Sequence, residues 1–259
     1  MLALILCTYL SASIDLYKYP FYESPSYSNY GTLGLIQNPT ARFHDQGSLG
    51  FSWSHNEPYL RGSVVAYPFN WLEVSFQYTD INNRLYSYFD YFSGSQSLKD
   101  KSFDAKIRLL KESNIFPQIA LGIRDFGGTG LFASEYLVAS KRFGSNLDIS
   151  IGLGWGNLNR NDISNPLTRI SNRFENRTSE IDLGGKVNLD DFFSGTAGYF
   201  AGIEYVIPKL NGLRLKVELD GTNYLTESAE PLNQDSRVNF GIIYPVTKRF
   251  HTKLSFTRG

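Results

Sequence analysis

The sequence has almost no cysteine, no excess of either charge and no long apolar run beyond its first residues. A single cysteine among 259 residues, Cys7, excludes an internal disulfide framework and a cysteine-built metal site. The 25 basic and 25 acidic residues balance, so the basic excess of a nucleic-acid-binding protein is missing. No later apolar run approaches the roughly 18 residues of a transmembrane helix. A β-barrel is still allowed, because its alternating strands are invisible to hydropathy.

Aromatic residues and glycine are abundant by contrast. The chain has 17 Tyr, 19 Phe and 23 Gly. Such aromatic content is ordinary for a protein with aromatic belts at a membrane interface, and the length suits one large all-β domain. The three histidines, His44, His55 and His251, lack metal-ligand spacing. We therefore expect neither a metal site nor another cofactor.

The N-terminal residues suggest a targeting segment. Residues 1–13 resemble the apolar core of a secretory signal peptide, with a small-residue cleavage site at Ser11-Ala12-Ser13. A lipoprotein anchor at Cys7 and a folded strand are the alternatives, although Leu6 stands where a lipobox has a small residue. We expect a signal-peptide-like segment at 1–13, an exposed segment at 14–30 and a β-barrel domain at 31–259, belonging to a complete chain or to a fragment.

Alternation of apolar and polar residues dominates the rest of the chain. A period of two gives a strand one apolar and one polar face. The polar faces carry full charges together with glycines, and aromatic residues stand at several strand ends. This favours a barrel with apolar faces toward lipid over a soluble sandwich with apolar faces inside. The clearest segments are 72–78, 103–109, 119–123, 147–155, 213–220 and 238–244.

Short and long links alternate between these segments. The short links are 68–70, 111–115, 144–146, 208–212 and 245–249, and the long ones are 80–101, 125–134, 157–196 and 222–236. Outer-membrane barrels have this pattern of short periplasmic turns and long outer loops. We predict an all-β, antiparallel up-and-down transmembrane β-barrel of about eleven strands, or about twelve if residues 31–36 also pair, since bacterial barrels have even numbers.

No motif indicates catalysis. The stretch 126–130 is glycine-rich, but it lacks the lysine and the following helix of a phosphate loop. His251 and Ser255 lie on one predicted polar strand face, which we interpret as lumen-facing, with a barrel hydrolase as the minor alternative. We therefore expect a protein that is not an enzyme.

Eight charged residues on the predicted strands form the candidate site. If the apolar faces point to lipid, most of these side chains line the lumen. There they either brace the wall as ion pairs or contact the hydroxyls and carboxylates of a polysaccharide. The candidates are Asp104, Lys106, Arg108, Arg124, Glu135, Arg214, Lys216 and Glu218.

Several motifs together resemble the YjbH/GfcD family. The resemblance implies an outer-membrane protein encoded with exopolysaccharide or group 4 capsule genes and thought to help secrete the polymer. Family members are longer, which implies that this chain is the N-terminal part, and many are lipoproteins. The family supplies no catalytic residues. The motifs are Gly34-Leu-Ile-Gln-Asn-Pro-Thr-Ala-Arg42, residues 101–106, 124–130 followed by 134–140, 152–156 and 202–205, in the same order.

We therefore expect a bacterial outer-membrane β-barrel that assists exopolysaccharide or capsule biosynthesis and secretion by guiding or docking the polymer. The expected partners are outer-membrane lipid, the exopolysaccharide and other polysaccharide secretion proteins, without nucleic acid. The alternative is a secreted or surface glycan-binding β-protein without a transport role. Its contact sites would be the loops 80–101 and 157–196.

Overall fold

The computed structural model is an all-β, antiparallel up-and-down barrel, as predicted. It describes the backbone of residues 2–11 and then residues 25–178, 191–225, 232–247 and 249–259. The helical elements that lie wholly within those ranges are α1 (Asp90–Ser93) and short 3-10 turns at Pro166–Arg169, Asn172–Phe174 and Pro208–Leu210. None of the described helices is long and apolar enough to cross a membrane.

Each wall strand pairs with its neighbours in the chain, without a crossover. Strands β2 to β12 follow one another in this way, and the backbone of β1 pairs with both β12 and β2. The strands are β1 (Leu2–Ser11), β2 (Ser48–Asn56), β3 (Tyr59–Phe69), β4 (Leu72–Leu85), β5 (Ser97–Leu110), β6 (Gln118–Arg124), β7 (Ser134–Phe143), β8 (Leu147–Gly156), β9 (Gly198–Ile207), β10 (Leu213–Leu219), β11 (Val238–Pro245) and β12 (Phe250–Phe256).

The N-terminal residues bear on three of the sequence predictions. Residues 2–11 are paired in the sheet, while their assignment as signal peptide, anchor or wall strand stays a prediction. Of the segment predicted to be exposed, 14–24 lie outside the described residues, and residues 26–30 are buried instead. Residues 31–36 form no wall strand, because they lie inside the barrel together with 26–30 and make only isolated bridges.

The links between strands differ in length at the two ends of the barrel. The end that we call the short-turn end has the links 70–71, 111–117, 144–146, 208–212 and 246–249. The opposite, long-loop end has 57–58, 86–96, 125–133, 157–197 and 220–237. The predicted alternation is thus confirmed for the links after β2, with one short link, 57–58, at the long-loop end. The long connection 12–47 between β1 and β2 starts and ends at the short-turn end. The predicted loop 80–101 is shorter because β4 and β5 continue to Leu85 and from Ser97.

The wall is apolar outside and polar inside. On β11 the side chains of Val238, Phe240 and Ile242 are exposed on the outer face, whereas that of Asn239 is fully buried. A water-soluble barrel would reverse this arrangement, because burial of apolar surface drives its folding. The outer face therefore suits an apolar solvent.

Candidate functional site

The lumen is filled by the chain itself. Residues 25–44, which we call the plug, enter at the short-turn end, and residues 26–42 are all buried. The plug folds back on itself through backbone hydrogen bonds, from Asn29 N–H to the Ile36 carbonyl at 2.7 Å and from Leu35 N–H to the Asn38 carbonyl at 2.8 Å. At its tip Gly31 has a φ of 76°, and a Cβ there would lie 2.2 Å from Ser63 Cβ. Only glycine fits this approach to the wall.

One buried carboxylate of the wall holds the central turn of the plug. The Glu218 carboxylate accepts hydrogen bonds from the consecutive backbone N–H groups of Ile36, Gln37 and Asn38 at 2.9, 2.8 and 3.2 Å. The Asn239 side chain donates to the same carboxylate at 2.8 Å. Charge-assisted bonds of this kind satisfy donors that would otherwise be buried without partners. Glu218 therefore fixes both the shape and the depth of the turn.

Wall cations hold the carbonyl groups of the plug. Lys216 Nζ donates to the carbonyl oxygens of Gly34 at 2.5 Å and Leu35 at 2.8 Å. The Arg124 guanidinium donates to the Gln37 carbonyl at 3.2 Å. The peptide N–H groups of the plug thus meet the negative charge of Glu218, and its carbonyl groups meet the positive charges of Lys216 and Arg124. The lumen wall is thus complementary to the backbone of this turn.

Small wall residues make room for the apolar side chains of the plug. A Cβ added to Gly202 would lie 2.5 Å from Leu35 Cδ1, and one added to Gly241 would lie 3.1 Å from Ile36 Cδ1. These glycines stand on the inward faces of β9 and β11. The alternation of charge and glycine on the polar strand faces is therefore explained by the plug.

An ion-pair cluster closes the short-turn end. Arg42 of the plug forms a two-pronged pair with the Asp148 carboxylate, both contacts being 2.7 Å, and also pairs with Glu112. Burial alone would raise the pKa of the Glu112 carboxyl, but the Arg142 N–H and the Arg42 guanidinium outweigh it, so the pKa lies below its ordinary value. The cluster ties the end of the plug to strand β8 and to the link 111–117.

Most of the predicted lumen residues face the lumen, and they contact the plug or other residues of the wall and its links. Asp104 accepts a hydrogen bond from the Asp125 N–H at 2.9 Å. Ion pairs join Lys106 to Glu73 at 3.0 Å and Arg214 to Glu204 at 2.6 Å. Arg108 lies near the short-turn end, 5.1 Å from the Phe43 ring of the plug. Polysaccharide contact by these residues stays a prediction. In the plugged barrel their ion pairs and hydrogen bonds brace the wall.

Glu135 is the exception and corrects the predicted lumen set. It pairs across the sheet with Ile123 and Trp155, whose side chains share the outer face. It is buried because residues 177 and 193 of the link 157–197 lie over this face, and the Arg177 guanidinium donates to the carboxylate at 2.7 and 3.1 Å. Phe193 packs edge-on against Trp155 at 5.2 Å. Glu135 therefore binds an outer loop and does not line the lumen.

The geometry does not support the hydrolase alternative at His251 and Ser255. Both are buried on the inward face of β12. Four residues along one strand separate their Cα atoms by about 13 Å, far beyond the reach of a nucleophile and its base. Among the described residues, no group of three or more His, Cys, Asp and Glu side chains is placed to hold a metal ion.

A second unusual region lies at the long-loop end. We call residues 85–97, which join β4 and β5, the aromatic arm. Its tip exposes the aromatic side chains of residues 86, 88, 89, 91 and 92, and Tyr88 is 95% and Tyr91 87% exposed. The pairing of β3 with β4 ends at Ile81, and the pairing of β6 with β5 ends at Ala105. The hairpin formed by β4 and β5 therefore extends beyond both neighbouring strands, β3 and β6. The tip lies within the predicted loop 80–101, which is a contact site in the glycan-binding alternative, whereas no sequence pattern predicted the plug as a site.

These features define a plugged, up-and-down β-barrel with an apolar outer face. The chain matches the YjbH family, described as exopolysaccharide biosynthesis protein YbjH, over residues 26–259. It is 43% identical over 242 residues to a relative named uncharacterized lipoprotein YjbH from Escherichia coli (strain K12), covering 93% of this chain and 34% of the relative. No solved structure shows significant similarity.

The chain therefore belongs to the YjbH family of exopolysaccharide biosynthesis proteins. It spans about a third of the length of the curated relative that it matches. The resemblance drawn from the sequence motifs is confirmed.

Proposed function

We propose that this chain is an outer-membrane β-barrel that assists exopolysaccharide or capsule biosynthesis and secretion by docking and guiding the polymer. In this proposal the lumen stays plugged, the polymer contacts the long-loop end and no chemical step is catalysed. The partners are outer-membrane lipid, the exopolysaccharide and other secretion proteins. The short turns face the periplasm, as is usual for such barrels.

The inside-out wall is the observation that carries the membrane part of the proposal. Exposed aromatic side chains stand toward both ends of the outer face, Trp53 and Tyr78 toward the long loops and Trp71, Tyr205 and Tyr244 toward the short turns. Two such girdles around an apolar band are typical of outer-membrane barrels. The lipoprotein name of the relative supports an envelope location as well.

The plug supports docking over conduction. Its backbone is bound by Lys216, Glu218 and Arg124, and its short-turn exit by the Arg42 cluster. A polymer could pass only if all these contacts broke together. Breaking buried, hydrogen-bonded charges costs about 3–5 kcal/mol for each pair. A plugged lumen with an exposed long-loop surface therefore fits a guiding element better than a conduit.

A disulfide lock on the plug tests this proposal. A Cβ at position 241 lies 3.1 Å from Ile36 Cγ1, where a cysteine sulfur would stand, and its nearest backbone contact is an ordinary 3.7 Å, so Ile36→Cys combined with Gly241→Cys suits a disulfide. Polymer secreted into the medium is measured for the full-length protein, oxidised and reduced, with each single cysteine variant as control. Docking predicts equal secretion in both states. Secretion that falls on oxidation to the level of cells lacking the protein contradicts docking with a closed lumen.

A further inference from the structure

The tip of the aromatic arm exposes more aromatic surface than a loop ordinarily does. Besides the almost fully exposed Tyr88 and Tyr91, Phe92 is 69% exposed. Each such ring could bury about 150–250 Å² in a core or an interface. Contiguous apolar surface of this kind marks an interaction site on ordinary proteins.

The tip has a defined backbone that presents these rings. The Tyr86 N–H donates to the Gln96 carbonyl at 2.9 Å, and the Phe92 N–H donates to the Phe89 carbonyl at 2.9 Å. The Tyr86 and Phe92 rings lie within 7° of parallel, with centroids 6.3 Å apart. A surface already arranged in this way loses less conformational entropy when a ligand binds.

Charged residues separate the tip from the apolar band of the wall. Asp80 and Lys99 form an ion pair on the outer face between Tyr78 and the tip, and exposed Lys101 lies beside Tyr78 in the sheet. Full charges at this level mark the end of the lipid-facing surface, because charge on the lipid face is unfavourable. The tip therefore extends past the band and does not continue it.

The chemistry of the tip suits a sugar ring. Between residues 85 and 98 the sequence has four serines and Gln96 beside its aromatic residues, with one acidic and no basic residue. A pyranose has an apolar C–H face, which matches the negative face of an aromatic ring, and a rim of hydroxyls, which match tyrosine and serine. Tyrosine, serine and glycine together also give adaptable binding surfaces.

We propose that the tip of the aromatic arm is a carbohydrate-binding platform, on which Tyr88 and Tyr91 stack against pyranose rings of the exopolysaccharide. The inference rests on the proposed function and names the surface that docks the polymer. Because the tip has no basic residue, recognition is through the ring faces and hydroxyls rather than through acidic groups.

The test uses the full-length protein in nanodiscs and exopolysaccharide recovered from the medium of producing cells, immobilised on a sensor. Tyr88→Ala combined with Tyr91→Ala removes both ring faces and lowers affinity about tenfold or more. Tyr88→Phe combined with Tyr91→Phe keeps the rings and stays within about threefold of the parent. Ile115→Ala is the matched control, because Ile115 is 81% exposed at the opposite end.

The outcomes separate this inference from the proposed function. Unchanged affinity of the alanine pair, with clear binding by the parent, overturns the platform and leaves polymer docking in place. Absence of binding by the correctly folded parent overturns polymer docking itself. If the alanine pair binds vesicles of phosphatidylethanolamine and phosphatidylglycerol more weakly than the parent does but binds the polymer equally well, the tip is a lipid contact, and the platform is also overturned.

Discussion

The plug and the aromatic arm are both irregular segments, yet their environments are opposite. The plug mixes polar residues such as Asn29 and Asn38 with apolar residues such as Leu33 and Ile36, and it is buried throughout residues 26–42. The arm carries five aromatic residues at its tip and exposes them. The interior wall of this barrel is polar and its exterior is apolar. A segment is therefore buried when the wall offers hydrogen-bond partners for its backbone, and apolar character alone does not bury it.

Among the substitutions that test this comparison, we expect the largest loss of stability at Glu218. Replacing it with Ala leaves three plug N–H groups without their acceptor, and we expect the free energy of unfolding to fall by about 3–5 kcal/mol. Denaturant unfolding in detergent measures the change. Glu57→Ala is the control, since Glu57 is half exposed beside His55 and should matter by less than about 1 kcal/mol. A similar loss for both variants would mean that Glu218 does not anchor the plug.

The contact between Gly202 and Leu35 gives the next effect. Gly202→Val forces a Cβ to within 2.5 Å of Leu35 Cδ1, and we expect a loss of about 1–3 kcal/mol from overpacking. Adding Leu35→Ala removes the clashing methyl groups and restores the part of that loss that comes from Leu35, while the 2.6 Å contact of the new Cβ with the Val217 carbonyl oxygen remains. A double-mutant cycle that gives additive losses contradicts direct contact between plug and wall.

A pH-dependent effect is expected at Asp125, in the link 125–133 of the long-loop end. Burial raises the pKa of its carboxyl, and the neighbouring Asp100 and Asp104 carboxylates add to the rise. A raised carboxyl pKa means that the folded state loses stability as the pH rises from the unfolded pKa through the folded one. Asn also tolerates the positive φ of 54° at this position.

We therefore expect Asp125→Asn to melt at a higher temperature than the parent at pH 8 and at the same temperature at pH 4. Thermal unfolding followed by circular dichroism across this range measures the difference. Equal melting temperatures at both pH values would contradict a strained, buried carboxylate.

The smallest effect on stability is expected at the arm. Tyr88→Ala combined with Tyr91→Ala removes side chains that make little contact with the barrel, so the free energy of unfolding should change by less than about 0.5 kcal/mol. The same denaturant measurement applies. A loss above about 2 kcal/mol would show that the arm is a packed part of the fold and would remove the contrast with the plug.

Period-two alternation predicted the wall because the two faces of each strand meet different environments, an apolar one outside and a polar one inside. Strand β10 is an example: Leu215 lies outside, and Arg214 and Lys216 lie inside. The same parity places Glu135 outside with Leu137, but its charge favoured the lumen, and a loop that covers it leaves no periodic signal. The plug was not predicted, since its burial depends on backbone groups meeting Glu218 across the barrel, which no local pattern encodes.

The most direct test of the inside-out, plugged barrel is the accessibility of single spin-labelled cysteines in lipid, with Cys7 replaced by Ser. We expect labels at Leu215 and Phe240 to collide with lipid-soluble oxygen and a label at Tyr88 with a water-soluble nickel chelate, while one at Ile36 meets neither. If the labels at Leu215 and Phe240 are shielded from both reagents, their faces pack inside a soluble β-structure, and the membrane account is wrong.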